Sequence, residues 1–316
     1  MSDVAVLPAQ SVTRERRPAI GYAMALSAGT LFAVNGTVSK VILESGLSSL
    51  RLTEVRCAGA LAGLGLILLA TRPQSLRIGR RELAFVAAFG VFGVALVQLF
   101  YFLAIHRLQI GVSLLIQYLG PLLVALFAHF VLKEHVRRRL WVALALALGG
   151  LTLVVDLWSG VSLDGLGVLF SLCSAVTFAG YLLFAERAVG RRDPISLLCY
   201  GFLFASVFWA IAQPWWSFPF DVPGRTVSLL GNLSHLHLPI WALMAWMIVL
   251  GTIVPFFLIV GSMQHITATR AGILAMVEPV VASVVAYGWL DETLGATQLV
   301  GGAIVLSGIV IAQTAR

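Results

Sequence analysis

Charge is scarce in this chain. Asp, Glu, Lys and Arg make up 11% of its 316 residues, against about 25% in soluble domains. Lysine is almost missing, with Lys40 and Lys133 standing against 19 arginines. So few charged side chains cannot cover a water-facing surface, which sets a soluble globular domain aside. Cysteine is scarce too: Cys57, Cys173 and Cys199 are widely separated and have neither metal-ligand spacing nor the pattern of a disulfide framework. There is no P-loop lysine motif, so ATP-driven work within the chain is unsupported. A nucleophile elbow, a zinc motif and a phosphate-cradling glycine loop are also missing, as are the Asp-rich or His-rich clusters that a membrane enzyme acting on lipid would want. Neither an enzyme nor a cofactor is expected. Residues 1–18 are polar, with Arg14, Arg16 and Arg17, and do not read as a cleavable leader.

What fills the chain is long apolar runs. It is 59% hydrophobic, with mean hydropathy +0.97. Crossing the hydrocarbon core takes about 20 apolar residues in a helix, and only helices or closed barrels satisfy their backbone there. The runs are apolar all round rather than alternating, which predicts helices near 19–41, 50–70, 83–105, 110–132, 140–158, 163–186, 195–214, 239–262, 268–290 and 296–313. The expected fold is an all-α integral membrane protein with ten transmembrane helices.

The net charge of +7 raises nucleic acid as a partner, but its distribution points to the bilayer. If the N-terminus is cytoplasmic, the inside segments carry 16 of the 21 Lys and Arg, among them Arg72, Arg77, Arg80, Arg81, Arg137, Arg138, Arg139 and Arg187. This positive-inside asymmetry predicts a multi-pass protein with both termini cytoplasmic and no nucleic-acid partner. The preference for Arg over Lys, with abundant Ala, Leu and Val, fits a GC-rich bacterial genome and hence the bacterial inner membrane.

The chain also repeats itself. An offset of 158 places Gly93 on Gly251, Pro121 on Pro279, Leu132 on Leu290, Glu134 on Glu292 and Gly150 on Gly308. An offset of 146 places Gly21 on Gly167 and Phe32 on Phe178. The difference fits extra residues after the seventh helix, where Pro214, Pro219 and Pro223 cluster. Two five-helix units result, 19–160 and 161–316, after a tail of 1–18. Because five is odd, the second unit enters from the opposite side, an inverted repeat of the kind found in secondary transporters. Small residues recur every four positions in the first helix of each unit: Gly21, Ala25, Gly29 and Ala33, then Gly167, Ser171, Ala175 and Ala179. Such stripes let helices approach closely in lipid. Pro121, Pro255 and Pro279 are candidate hinges, each freeing the carbonyl four residues earlier, at Gln117, Gly251 and Ala275.

These features resemble the EamA family of the drug/metabolite transporter superfamily. The resemblance is carried by the paired segments LGPLLVALFAHFVLKE and VEPVVASVVAYGWLDE, each a proline helix ending in Glu, by LTEVRCAGALAGLGL, and by GYAMALSAGTLFAVNGTVSK. It covers about 19–313 and implies export or exchange of small metabolites by alternating access. Where the family has an aromatic-Gly pattern late in the first helix, this chain has Phe32-Ala33, and its loop 215–238 is long.

Ionisable groups inside membrane helices are costly and therefore informative. Glu278, beside Pro279, is placed to bind a proton or a cationic group. Arg56 is suited to a substrate carboxylate or phosphate, or to bracing loops. Glu54 stands two residues from Arg56, so the two point apart and each needs another partner. Counting helical rise, Asn35, Gln98, Gln117 and Tyr118 fall with Glu54 and Arg56 in one outer polar layer, and Tyr181 is the counterpart of Asn35. Tyr101, Trp246 and Met276 are candidates for a more apolar lining. The expected substrate is a small molecule with a polar or zwitterionic head, such as an amino acid, with proton coupling through Glu278 and Glu54. A lipid or lipid-linked sugar carrier is the alternative. Glu134 and Glu292 are expected to cap the helices that follow them, and the aromatic run Trp215, Trp216 and Phe218 suits an interfacial belt or a lid over the outer mouth.

Overall fold

The computed structural model describes residues 17–105, 107–108, 110–133, 135–154, 164–189, 192–291 and 295–314. The expectations for Glu134 and Glu292 lie outside the described residues, as do Arg14, Arg16, Arg191 and Arg316. The described chain is built of helices: α1 (Pro18–Leu43), α2 (Ser49–Thr71), α3 (80–105), α4 (110–130), α5 (Arg138–Val154), α6 (Gly165–Val189), α7 (Pro194–Ala212), α8 (Ile240–Ser262), α9 (Ala268–Leu290) and α10 (Ala296–Thr314). Their starts follow local chemistry. Pro18 and Pro194 occupy first-turn positions where no N–H is needed. Ser48 and Thr267 accept the backbone N–H of Arg51 and Arg270 as N-caps.

Eight of these helices are long and apolar enough to cross a membrane. The other two are α5, with 17 described residues, and α10, whose apolar stretch is Leu299–Ala312. The outward surface agrees with a lipid surrounding, since Leu66, Phe130 and Ile211 are about 70% or more exposed, an apolar display that water would penalise.

Four helices are not regular. In α3 a π-helical stretch, Phe89–Ala95, interrupts the α-helix, and α8 contains another at Val249–Ile253. Shifted by 158, residues 91–95 fall on 249–253. The proline helices also break: α4 between Gln117 and Gly120, and α9 at Met276, the position 158 beyond Tyr118. Proline's missing N–H and ring sterics account for both breaks, with Pro121 and Pro279 in the first turn of the second segments.

Packing between the halves is reciprocal. α1 packs on α8 and α9, while α6 packs on α3 and α4; α2 packs on α7 and α5 on α10. Glycines set the closest crossings. A Cβ on Gly150 would strike Gly301 O and Val305, and one on Gly308 would strike Ala143 O and Ala147 N. These are the same contacts exchanged at an offset of 158. Gly21 likewise lies against His265 and Ile266, and Gly167 against Arg107 and Leu108. The small-residue stripes of α1 and α6 are buried throughout.

Two apolar clusters form the interior. The larger runs through the middle of the bundle, from Leu68 and Phe89 to Leu274 and Val305. The smaller joins Val38, Ile42, Ile240 and Met244 to Phe218, Val222 and Leu229 of the segment between α7 and α8. That segment is a folded cap. It contains an antiparallel pair, β1 (Thr226–Ser228) and β2 (His237–Pro239), and short 3-10 turns around Trp215–Ser217 and Val222–Gly224. The end of the bundle that carries it is called the loop face below. The opposite end, with Arg72, Arg77, Arg80, Arg138 and Arg187, is the basic face.

Candidate functional site

The irregular stretches of α8 and α9 expose backbone groups within the bundle, and side chains from other helices meet them. Pro255 denies Gly251 O its usual helical donor; Arg56 of α2 donates to it from a guanidinium Nη2–H at 3.2 Å. Arg56 Nε–H also donates to Thr252 Oγ1 at 2.8 Å, and that hydroxyl donates back to Met247 O within the π-helical stretch. Pro279 does the same to Ala275 O, which accepts the Tyr118 hydroxyl at 3.2 Å. The same hydroxyl lies 2.7 Å from Glu278 Oε2. These two freed carbonyls are therefore each met by a polar side chain reaching across from another helix.

Arg56 and Glu278 belong to one electrostatic cluster with Tyr101, whose hydroxyl feels both charges. No ion pair within 4.0 Å joins Arg56 to Glu278 among the described residues. The guanidinium instead sits over the Phe256 ring, 6.0 Å from its centroid, within cation–π range. An acid and a base stand in one part-buried layer, each tied to neutral partners.

Around them lie polar atoms with no partner among the described residues. Asn35 Oδ1, Gln98 Oε1, Gln117 Oε1 and the Tyr181 hydroxyl are buried without a hydrogen-bond partner there. Buried polar groups are nearly always paired, so a group of them calls for an explanation. Asn35 lies over Gly251, where a Cβ would collide with its amide. Gln98 spends its N–H groups on Val94 O and Cys57 Sγ, leaving its oxygen over. Aromatic rings close one side: Tyr181 stacks on Phe89 and Phe178, and Phe256 meets Tyr181, Phe202 and Phe32 edge-on. Two of these rings, Phe202 and Phe256, are the repeat counterparts of Arg56 and Gln98.

The structure thus brings Arg56, Glu278, Tyr118 and Tyr101 together, with Asn35 over the neighbouring Gly251. Met276 is fully buried at the α9 break beside Glu278. Glu54 is placed elsewhere. It is 1% exposed and paired with Arg51 at 2.6 Å, and that arginine also donates to Gln213 O, Pro214 O and Ser217 Oγ. Glu54 therefore serves to hold the start of the cap. Trp246 packs against the smaller apolar cluster, near the cap. Trp216 is 87% exposed while Phe218 is 8% exposed, so the aromatic run splits between surface and core. Sequence reasoning missed Thr252 and Arg51. Gly93 and Gly251, matched at the repeat offset, marked the π-helical stretches without revealing their form.

A cavity of about 730 Å³ lies away from this layer, at the basic face, lined by residues of α3, α6 and α7.

Apolar membrane-length helices around a buried polar layer define a multi-span membrane protein. The EamA-like transporter family matches the chain over residues 19–156 and 165–314, and the chain belongs to that family. It is 30% identical over 283 residues to an uncharacterised transporter of Archaeoglobus fulgidus, covering 88% of this chain and 91% of the relative. It is 27% identical over 247 residues to the threonine/homoserine exporter RhtA of Escherichia coli K12, covering 78% and 76%. A crystal structure of another protein superposes with TM-score 0.75 at 18% identity, over 92% of this chain and 96% of that one, a likeness of fold alone.

Proposed function

We propose that this protein is a secondary transporter that moves small zwitterionic metabolites, amino acids foremost, across the bacterial inner membrane by alternating access. In this reading α1–α10 all span the membrane as two inverted five-helix repeats, and the basic face with both termini is cytoplasmic. The reciprocal packing, the paired π-helical stretches and the paired breaks support the repeat. The positive-inside distribution supports the orientation.

The observation that carries the substrate class is the unpaired juxtaposition of Arg56 and Glu278 amid unpartnered polar atoms. An α-carboxylate suits the fork of Arg56, and an α-ammonium suits Glu278. Asn35, Gln98, Gln117 and Tyr181 offer the remaining hydrogen bonds. When no ammonium is bound, a proton on Glu278 satisfies the same site, which couples substrate exchange to protons. The printed function of RhtA, threonine and homoserine export, points to the same substrate class.

The test is counterflow in proteoliposomes with labelled threonine, homoserine and a panel of other amino acids, with and without a pH gradient. Wild type is expected to exchange at least one of them in a gradient-sensitive manner. Glu278→Gln should lose the gradient response, and Arg56→Lys should lose at least tenfold in rate. Exchange unaffected by either substitution would remove both residues from the site. Failure to exchange any amino acid would overturn the substrate class.

A further inference from the structure

The basic-face cavity has a counterpart at the other end of the molecule. Shifted by 158 or 146, its lining residues Val86, Phe184 and Ala188 fall on Met244, Val38 and Ile42. Those three residues belong to the smaller apolar cluster, the place where Phe218, Val222 and Leu229 of the cap insert. One cleft between helices is therefore built twice. On the loop face the chain fills it with apolar side chains, and Arg51, the counterpart of the lining residue Leu197, holds the entering backbone by its carbonyls. On the basic face the counterpart segment, 72–79, is shorter and packs only Leu76 and Ile78 against the core, and about 730 Å³ remains, walled by Phe85, Val86, Phe184 and Leu197.

The rim of this second cleft is cationic. Arg192 is fully engaged, donating to Glu82, Ser75 O, Arg77 O and Ser196 and lying over the Tyr200 ring. Glu82 and Arg192 thus cancel each other's charge. Arg187 lines the cavity, is exposed, and makes no hydrogen bond or ion pair among the described residues. Arg77 and Arg80 lie on the same face of the bundle, also exposed and without a side-chain partner among the described residues.

We propose that this cleft binds an anionic phospholipid, its acyl chain between α3, α6 and α7 and its phosphate on Arg187. An apolar slot between membrane helices with arginines at its mouth matches an acidic lipid in both parts, and the twin cleft already accepts apolar groups anchored at their polar end. The site is separate from the Arg56–Glu278 layer and stands or falls independently of the transported substrate.

The experiment is native mass spectrometry of the full chain, released from detergent after incubation with phosphatidylglycerol or phosphatidylcholine of the same chain length. Wild type is expected to retain phosphatidylglycerol at least fivefold over phosphatidylcholine, and Arg187→Ala should abolish most of that preference. Arg138→Ala, which changes an exposed arginine on the same face away from the cavity, should leave it unchanged. Equal retention of the two lipids, an undiminished preference in Arg187→Ala, or an equal loss in Arg138→Ala overturns the proposal. Displacement of the lipid by millimolar inorganic phosphate overturns it too, since the site would then recognise a free anion. Gel filtration of each variant separates a lost site from a lost fold.

Discussion

Arg51→Ala is the substitution whose consequence is best defined by the geometry. Arg51 is about 9% exposed and Glu54 about 1%, and the ion pair between them is 2.6 Å long. Removing one partner of a buried pair costs about 3–5 kcal/mol, because the remaining charge is stranded. Here the stranded carboxylate has an escape. The same arginine ties down Gln213 O, Pro214 O and Ser217 Oγ, so without it the cap can lift and let water reach Glu54. Most of the cost should therefore appear as easier opening of the cap, not as loss of the whole fold. At 1.4 kcal/mol per tenfold, the open population should rise by about 10²–10³. The assay is the rate of thiol labelling at Val222→Cys, a cap position 5% exposed in the closed form, in a background lacking Cys57, Cys173 and Cys199. When closing is fast, labelling tracks the open population. Arg51→Ala/Glu54→Ala, which strands no charge, should label at least tenfold more slowly than Arg51→Ala. Equal labelling of wild type and Arg51→Ala would refute the reasoning and leave the cap held by its other contacts.

Those other contacts give a smaller effect. Trp289→Phe removes the indole N–H that donates to Leu229 O at 2.8 Å, and should raise cap labelling by about fivefold, the worth of one hydrogen bond of about 1 kcal/mol. Gly150→Leu and Gly308→Leu drive side chains into the facing backbone of the α5–α10 crossing and should each sharply reduce the yield of folded protein. Gly149→Leu, with open space around its Cβ, should not; equal yields from all three would remove the crossing from the list of constraints. Tyr118→Phe deletes the hydroxyl that serves both Glu278 and Ala275 O. It should slow amino-acid counterflow at least tenfold while leaving the amount of folded protein within twofold of wild type; unaltered counterflow would place Tyr118 outside the working site.

Much of the architecture could be read before any coordinates because lipid imposes one-dimensional rules. A run of 20 apolar residues has to be a helix, so the helical stretches lie close to their expected positions. The proline breaks were legible for the same reason, since a missing N–H acts locally. The π-helical stretches were not, because their extra residue is stabilised by partners from elsewhere: Thr252 bonds back to Met247 O and is gripped by Arg56. The partner of Glu54 was also hidden. A residue three positions away, Arg51, sits on the same helical face, but its place at the very start of the helix concealed that it turns inward. Helical rise put Glu54 at the depth of Arg56, whereas depth alone says nothing about which side of the helix a group faces. The cap shows the same limit. Its aromatic run suited an interface or a lid, and only the packing of Phe218 against α1 and α8 separates the buried ring from the exposed Trp216.

The broken helices explain why the polar layer is where it is. A proline in a membrane helix leaves a carbonyl without its donor, and in lipid that group has to be met by another side chain. In the second half, Gly251 O recruits Arg56 and Ala275 O recruits Tyr118, both from the first half. The bonds that repair the backbone are thus bonds between the two halves, and they hold in place the groups a zwitterion would contact. Any rocking of one half against the other has to exchange these partners. Under the proposed function, a substrate carboxylate would compete with Gly251 O for Arg56, and an ammonium would compete with Tyr118 for Glu278. Substrate binding and the loosening of the interface would then be the same event, which is the coupling that alternating access requires.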